Sequence, residues 1–318
     1  MPTYPQSRPP VVSRLRRRLE TFFFAPVYAT PIALLRIAFG LLSLISAATL
    51  LADIGPLLGW LRVDSTGEIG WWQFLPGAST AAVSAMAWVL IAASLLMTLG
   101  CFSRASTWAV FLLTLALQRY NPAAFNGGDF IMRGVPLMGL ALSPAGVYLS
   151  IDAWRKPRSD AKAPLVAPWT LRFIQLHISL GYVLTVLLKL RGDTWPGGSA
   201  IWYALSIEEL TRFDVPSWLA SPPMGAVLTW TSLAIELGIG IGVWFRKARP
   251  WVLGAGVMFH LGIALLFEIG FFSFVMIASY LAFLPDRQSP RLLLPPSWRS
   301  RSVVEAGRPG GALEPNTV

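Results

Sequence analysis

The chain has 318 residues, 54% of them hydrophobic and only 13% charged, with a mean hydropathy of +0.57. Soluble domains carry about 25% charged residues, so this composition excludes an ordinary water-soluble domain and points to lipid as the solvent. The net charge of +10 lies in short Arg and Lys clusters beside apolar runs, with no aromatic-interleaved basic face. It is therefore a topology signal and not a nucleic-acid footprint. One cysteine, Cys101, excludes an intrachain disulfide and a cysteine-based metal centre, and two histidines leave little for any other metal site.

In chain order, residues 1–29 are a basic segment containing Arg14, Arg16, Arg17 and Arg18. The first apolar run, Pro31 to Leu51, lacks a clear small-residue cleavage site and reads as a retained spanning helix. Arg36 sits about a turn and a half inside it, near enough to the edge for its stem to snorkel to headgroups. An exterior segment, Ala52 to Ser79, carries Trp60, Trp71 and Trp72 and reads as interfacial. The second and third runs are Thr80 to Gly100 and Ala105 to Leu117. The fourth, Phe130 to Leu149, follows Asn126-Gly127-Gly128-Asp129. Asp129 and Arg133 are spaced for a local i, i+4 ion pair, while the two glycines could instead let backbone approach a ligand.

The fifth run, Trp169 to Lys189, repeats Gln175, Tyr182 and Lys189 every seven residues, with Ser179 on the same face. His177 points about 120° away and reads as a separate packing residue. A polar stripe in a membrane must face protein or water. Lys189 has two readings: desolvated at the end of this stripe it would act as a general base, and extended outward it would pair with Asp193. A second exterior segment, Leu190 to Pro223, contains Trp195, Trp202 and Trp218. The sixth and seventh runs, Met224 to Phe245 and Trp251 to Phe267, hold Glu236 and His260 near their middles. Those two could face one another as a relay or a structural clasp, with Ser232 one turn before Glu236. Glu268 reads as solvated at the exterior end. The eighth run is Phe271 to Leu284, and residues 287–318 read as a largely disordered cytoplasmic tail.

Eight crossings put the basic clusters at Arg14 to Arg18, Arg104, Arg155 to Lys162, Arg246 to Arg249 and Arg287 to Arg291 on one side, with both termini cytoplasmic. The alternate loops hold Asp53, Asp64, Glu68, Asp193, Glu208, Glu209 and Asp214. The expected fold is an all-α polytopic membrane bundle over residues 30–286. If Asn126, Asp129, Lys189 and Glu268 converge above Glu236 and His260, the cavity they line opens outward.

These fragments, in this order, resemble the HTTM family, the multi-helix membrane domain shared by vitamin K-dependent gamma-carboxylases and many bacterial membrane proteins. They are Leu35-Arg36-Ile37, Asn126 to Asp129, Gln175, Tyr182 to Leu190 followed by Gly192, Trp195 and Gly198, then Glu236, His260 and Phe272 to Met276. The resemblance implies a multi-pass protein of the cell's inner membrane. It makes Lys189 the base that deprotonates a reduced quinone, with Glu236 and His260 supporting it. Asn126, Asp129, Arg133, Gln175, Tyr182 and Trp195 would then line the ligand. The segment before the fourth helix carries Asn and Asp and no His, and no large exterior domain follows the eighth, so carboxylation of Glu is not expected. Three functions stay open: a lysine-based enzyme on a quinone or other lipid substrate, a maturation or export factor for a secreted peptide or membrane partner, and a proton-coupled carrier. The carrier is the least expected, because neither repeat halves nor matched broken helices are present.

Overall fold

Lipid offers backbone amides no hydrogen-bond partners, so a spanning chain must satisfy them within each segment. The computed structural model describes residues 11–52, 54, 79–120, 127–155 and 164–284. Its long elements are helices: α1 (Val11–Phe24), α2 (Thr30–Ala52), α3 (Thr80–Leu99), α4 (Ser103–Tyr120) and α5 (Gly127–Leu142). After the short α6 (Ile151–Trp154) come α7 (Trp169–Lys189), the short α8 (Ala200–Leu205), α9 (Pro222–Gly242), α10 (Arg249–Leu266) and α11 (Phe272–Ser279). A 3-10 turn, Tyr280–Phe283, continues α11. The predicted exterior segment 52–79 falls largely, and the predicted tail 287–318 wholly, outside the described residues.

Five of these helices, α2, α3, α7, α9 and α10, are long and apolar enough to cross a membrane. Helices α4, α5 and α11 with its 3-10 turn occupy the positions of the third, fourth and eighth predicted runs and are shorter or less apolar. The result is an all-α membrane bundle. Its outer surface is apolar: Leu180, Leu184, Leu187 and Leu188 on α7 and Met258, Leu261 and Leu265 on α10 are exposed, as lipid-facing side chains are. The buried core runs from Leu35 and Phe39 on α2 through Val83, Leu90 and Met97 on α3 to Ile178, Ile239, Val275 and Phe283.

One helix end and one whole helix depart furthest from expectation. Helix α5 stops at Leu142, seven residues before the predicted Leu149, because Pro144 disfavours helical backbone at Ser143. Ser143 closes the turn by donating through its N–H and hydroxyl to the Leu140 carbonyl. Helix α1 was not anticipated at all, since the basic segment was read only for its charge.

Several contacts show which helix ends lie together. A two-stranded antiparallel pair joins β1 (Val27–Tyr28), just before α2, to β2 (Leu165–Val166), just before α7. The Asp152 carboxylate accepts from the Phe102 and Ser103 amides at the start of α4, at 3.0 and 2.6 Å. Phe22 of α1 packs on Trp244, just past α9, at 5.9 Å. One end of the bundle therefore collects Arg14 to Arg18, Arg104, Arg155 and Arg246 to Arg249. At the other end Arg212 N–H donates to the Leu266 carbonyl and Glu268 N–H to the Leu210 carbonyl, so the segment after α7 is pinned to the end of α10. Glu268 is more than half exposed there, with Arg212 at 3.8 Å.

Arg36 corrects its sequence reading. It does not snorkel; its side chain is fully buried. Its guanidinium donates to the carbonyls of Ala145 (3.1 Å), Thr98 (2.9 Å), Leu149 (2.5 Å) and Met97. The last carbonyls of α3 have no partner within their own helix, and in lipid no water replaces one. A planar five-donor group satisfies them and ties α2 to α3 and to the turn after α5. Gly100 (φ +68°) ends α3 in the left-handed region and leaves room for this guanidinium, which a Cβ there would contact at 2.7 Å.

At the same end Phe102 and Leu149 both adopt positive φ, +47° and +48°, which is unfavourable for residues with a Cβ. Asp152 holds the first through the Phe102 amide and Arg36 holds the second through the Leu149 carbonyl. Half-burial of the Asp152 carboxyl acts to raise its pKa, but the Ser103 and Phe102 hydrogen bonds and nearby Arg155 outweigh it, leaving a net value below the ordinary one. A carboxyl with a depressed folded value stabilises the fold above its unfolded pKa, about 3.9. That contribution disappears as pH falls through the folded value. Asp152→Asn is therefore expected to lower the melting temperature at pH 7, with the gap from wild type closing below about pH 4. A gap of equal size at pH 7 and at the acid limit would show that the charge of Asp152 is irrelevant.

Candidate functional site

The site forms where α7, α9, α10 and the end of α11 meet. Close approach of α7 and α9 rests on Gly240, where a Cβ would lie 2.8 Å from Val183 and 3.2 Å from the Ser179 carbonyl. Trp244 Nε1 donates to Ser179 Oγ at 3.0 Å and sets the register. With the helices antiparallel, this register carries Glu236 to the level of Lys189. Lys189 Nζ donates to both carboxylate oxygens of Glu236, at 2.6 and 2.8 Å. The Lys189 side chain is 20% exposed and that of Glu236 is 8%.

Lys189 ends α7 but does not reach outward, and its carboxylate partner among the described residues is Glu236, not Asp193. The chain after it turns back over its ammonium group. Residues 190–199 form consecutive turns, closed by Gly197 N–H to the Asp193 carbonyl at 2.9 Å and Ser199 N–H to the Thr194 carbonyl at 2.8 Å. Gly198, at φ +75°, fits against α9 beside Ala226 and Trp230. Helix α8 then packs on Gly225, and Ile201 N–H donates to Thr229 Oγ1 at 3.0 Å. Folded this way, the segment lays the Trp195 ring 4.1 Å from Lys189 Nζ, a cation–π contact.

Two turns deeper on α7, about 10 Å away, lies the second half of the site. The Tyr182 hydroxyl is 2.7 Å from His260 Nε2 and 2.6 Å from the Tyr280 hydroxyl. All three side chains are buried. Gly256, one turn before His260, makes the space: a Cβ there would lie 2.6 Å from the Tyr280 hydroxyl. Phe259 and Phe272 meet the imidazole edge to face. His260 Nδ1 is buried and has no hydrogen-bond partner among the described residues. The predicted facing of Glu236 and His260 is replaced by two separate pairings, Glu236 with Lys189 and His260 with Tyr182. Tyr182 lies within electrostatic range of Glu236, and His260 within range of Lys189.

The other predicted residues distribute as follows. Gln175 is buried at the basic end, where Nε2 donates to the Ala282 carbonyl at 2.6 Å and Oε1 accepts from Arg172 at 2.8 Å. It clasps α7 to the last turn of the bundle, remote from Lys189 along the helix. Arg133 is buried on α5 with its guanidinium 5.9 Å from the Phe271 ring, while the adjacent Phe272 touches His260. His177 faces α5, where it interacts with the Ile131 backbone, apart from the stripe. Asn126 and the side chain of Asp129 lie outside the described residues. Sequence reasoning missed Tyr280; a lone Tyr near the end of an apolar run was the available signal.

Chemically, the arrangement supplies an amine donating to both oxygens of a buried carboxylate, an aromatic ring over the amine, and a tyrosine pair that ends on an imidazole whose second nitrogen has no partner among the described residues. No solved structure matches this chain. The HTTM domain, in contrast, matches residues 24–287, a stretch that runs from the end of α1 past Phe283 and includes every residue of the site. By that match the protein belongs to the HTTM family, and it is an HTTM membrane protein.

Proposed function

We propose that this protein is an inner-membrane enzyme that uses Lys189 as a general base on the hydroxyl of a lipid-soluble substrate, with a reduced quinone as the substrate class. The observation that carries this reading is the two-pronged Lys189–Glu236 pair beneath Trp195. An amine accepts a proton only in its neutral form, and Glu236 is placed to hold the proton that Lys189 gives up. A quinol supplies an acidic hydroxyl and a flat ring. Trp195, Phe259 and Phe272 offer aromatic surfaces for such a ring, and the free Nδ1 of His260 offers a hydrogen bond to a second oxygen. Asn126, Asp129 and Arg133 are proposed to line the outer wall of the cavity.

The test compares wild type with Lys189→Arg in liposomes supplied with reduced menaquinone and oxygen. Arginine can keep the ion pair with Glu236 but does not deprotonate at accessible pH. Wild type is expected to form quinone epoxide, one oxygen atom entering the ring and the other leaving as water, and Lys189→Arg to form about a hundredfold less. No epoxide above that in empty liposomes, from folded wild-type protein, would refute the quinone reading. The alternative is a maturation factor for a secreted peptide, favoured by the exposed Tyr203, Phe213 and Trp218 on the segment that covers Lys189. In that case a co-purifying peptide would be retained by Lys189→Arg.

A further inference from the structure

Helix α1 stands outside the bundle and the site. At 100° per residue, Val12, Leu15, Leu19, Phe22 and Phe23 fall within about 100° of arc, and Arg14, Arg16, Arg17 and Arg18 lie on the remainder. Among the described residues, one edge of the apolar stripe is packed against the bundle. Phe22 stacks on Trp244, and Arg172 lies 4.8 Å above its ring while Arg172 Nε donates to the Phe22 carbonyl at 3.2 Å. Val12, Leu15 and Leu19 remain 78%, 58% and 50% exposed. The four arginines are exposed as well, and one of them, Arg16, pairs with Glu20 along the helix.

The attachment fixes the depth of α1. Trp244 follows the end of α9, and around it the exposed Trp154, Trp169, Phe245 and Trp251 ring the same end of the bundle. Aromatic girdles of this kind mark the headgroup level of a bilayer. An apolar stripe with a polycationic back, held at that level, fits a helix lying in the plane of the interface.

We propose that α1 is an interfacial helix that binds the anionic phospholipid surface at the basic end of the bundle, with Val12, Leu15 and Leu19 inserted among acyl chains and Arg14, Arg17 and Arg18 on headgroup phosphates. Charge complementarity selects this occupant, because a second copy of the helix would bring the same arginine cluster against itself. The proposal is independent of the chemistry at Lys189.

The test uses the full chain, one copy per nanodisc, in phosphatidylcholine alone or with about one part in four phosphatidylglycerol. Amide hydrogen exchange is read over residues 11–24, with α7 as the internal control for folding. In the anionic discs, exchange in α1 is expected to slow by about tenfold relative to the zwitterionic discs, and the difference to shrink in high salt. Changing Arg14, Arg17 and Arg18 together to Gln is expected to abolish the difference, as is Leu15→Gln with Leu19→Gln, while exchange in α7 stays constant. Equal exchange in the two lipids would overturn the proposal. So would protection that survives both sets of substitutions, or protection seen only when discs carry two copies.

Discussion

Arg36→Ala is expected to be the most destabilising single substitution in the bundle, at roughly 3–5 kcal/mol. The wild-type guanidinium donates to four backbone carbonyls from two segments, the end of α3 and the turn after α5. Alanine leaves the Thr98, Ala145 and Leu149 carbonyls without this donor and Met97 with only the Gly100 N–H, and each orphaned group costs about 1–3 kcal/mol. Against a total stability of about 5–15 kcal/mol, that loss accounts for a large share of the fold. Arg36→Lys should recover little, since one ammonium with three donors cannot span acceptors so widely placed. The measurement is thermal unfolding followed by size-exclusion chromatography of detergent extracts. A melting temperature for Arg36→Ala close to wild type would mean that those carbonyls find other partners.

The second large effect concerns Lys189 and Glu236. Removing either partner alone leaves the other as an uncompensated group in a dry site, which typically costs about 3–5 kcal/mol. Replacing both with apolar residues of similar volume, Lys189→Met with Glu236→Leu, removes the pair without leaving a lone charge. That double variant is expected to regain most of the stability lost by either single variant, because the desolvation of both groups also disappears. A double-mutant cycle in unfolding measures the coupling directly. Recovery of the fold without recovery of epoxide formation would show that the pair is kept for chemistry. A double variant as unstable as the sum of the two singles would instead assign the pair to the architecture.

How much of this was legible beforehand can be judged residue by residue. The positions of the long helices followed closely from hydropathy; α7 spans Trp169–Lys189 as expected, α2 is one residue longer at each end and α3 one residue shorter at its C-terminal end. Hydropathy is a local property, and in lipid a long apolar run has little choice but to become a helix. The shared face of Tyr182 and Lys189 was equally visible, because helical periodicity is built into the chain. Amphipathicity in residues 11–24 is also written in the spacing of Val12, Leu15, Leu19 and Phe22, interleaved with the arginine cluster.

Partner choice was a different matter. Lys189 had Asp193 one turn away in sequence, yet it meets Glu236 across 47 positions. Glycine-mediated contact of α7 with α9 sets that register, and the fold-back of residues 190–199 encloses the amine. His260 meets Tyr182 and not Glu236 for the same reason, and Tyr280 joins them because α11 ends in a tight turn against Gly256. Arg36 shows the limit most clearly. Its place near a helix end suggested snorkelling, a behaviour decided by depth alone. Its actual role depends on carbonyls 61 to 113 residues away along the chain. Local patterning thus laid out the helices and the bilayer they span, while the pairing of buried polar groups was settled by helix–helix register, since in a dry interior each such group must take whichever partner the packing brings within reach.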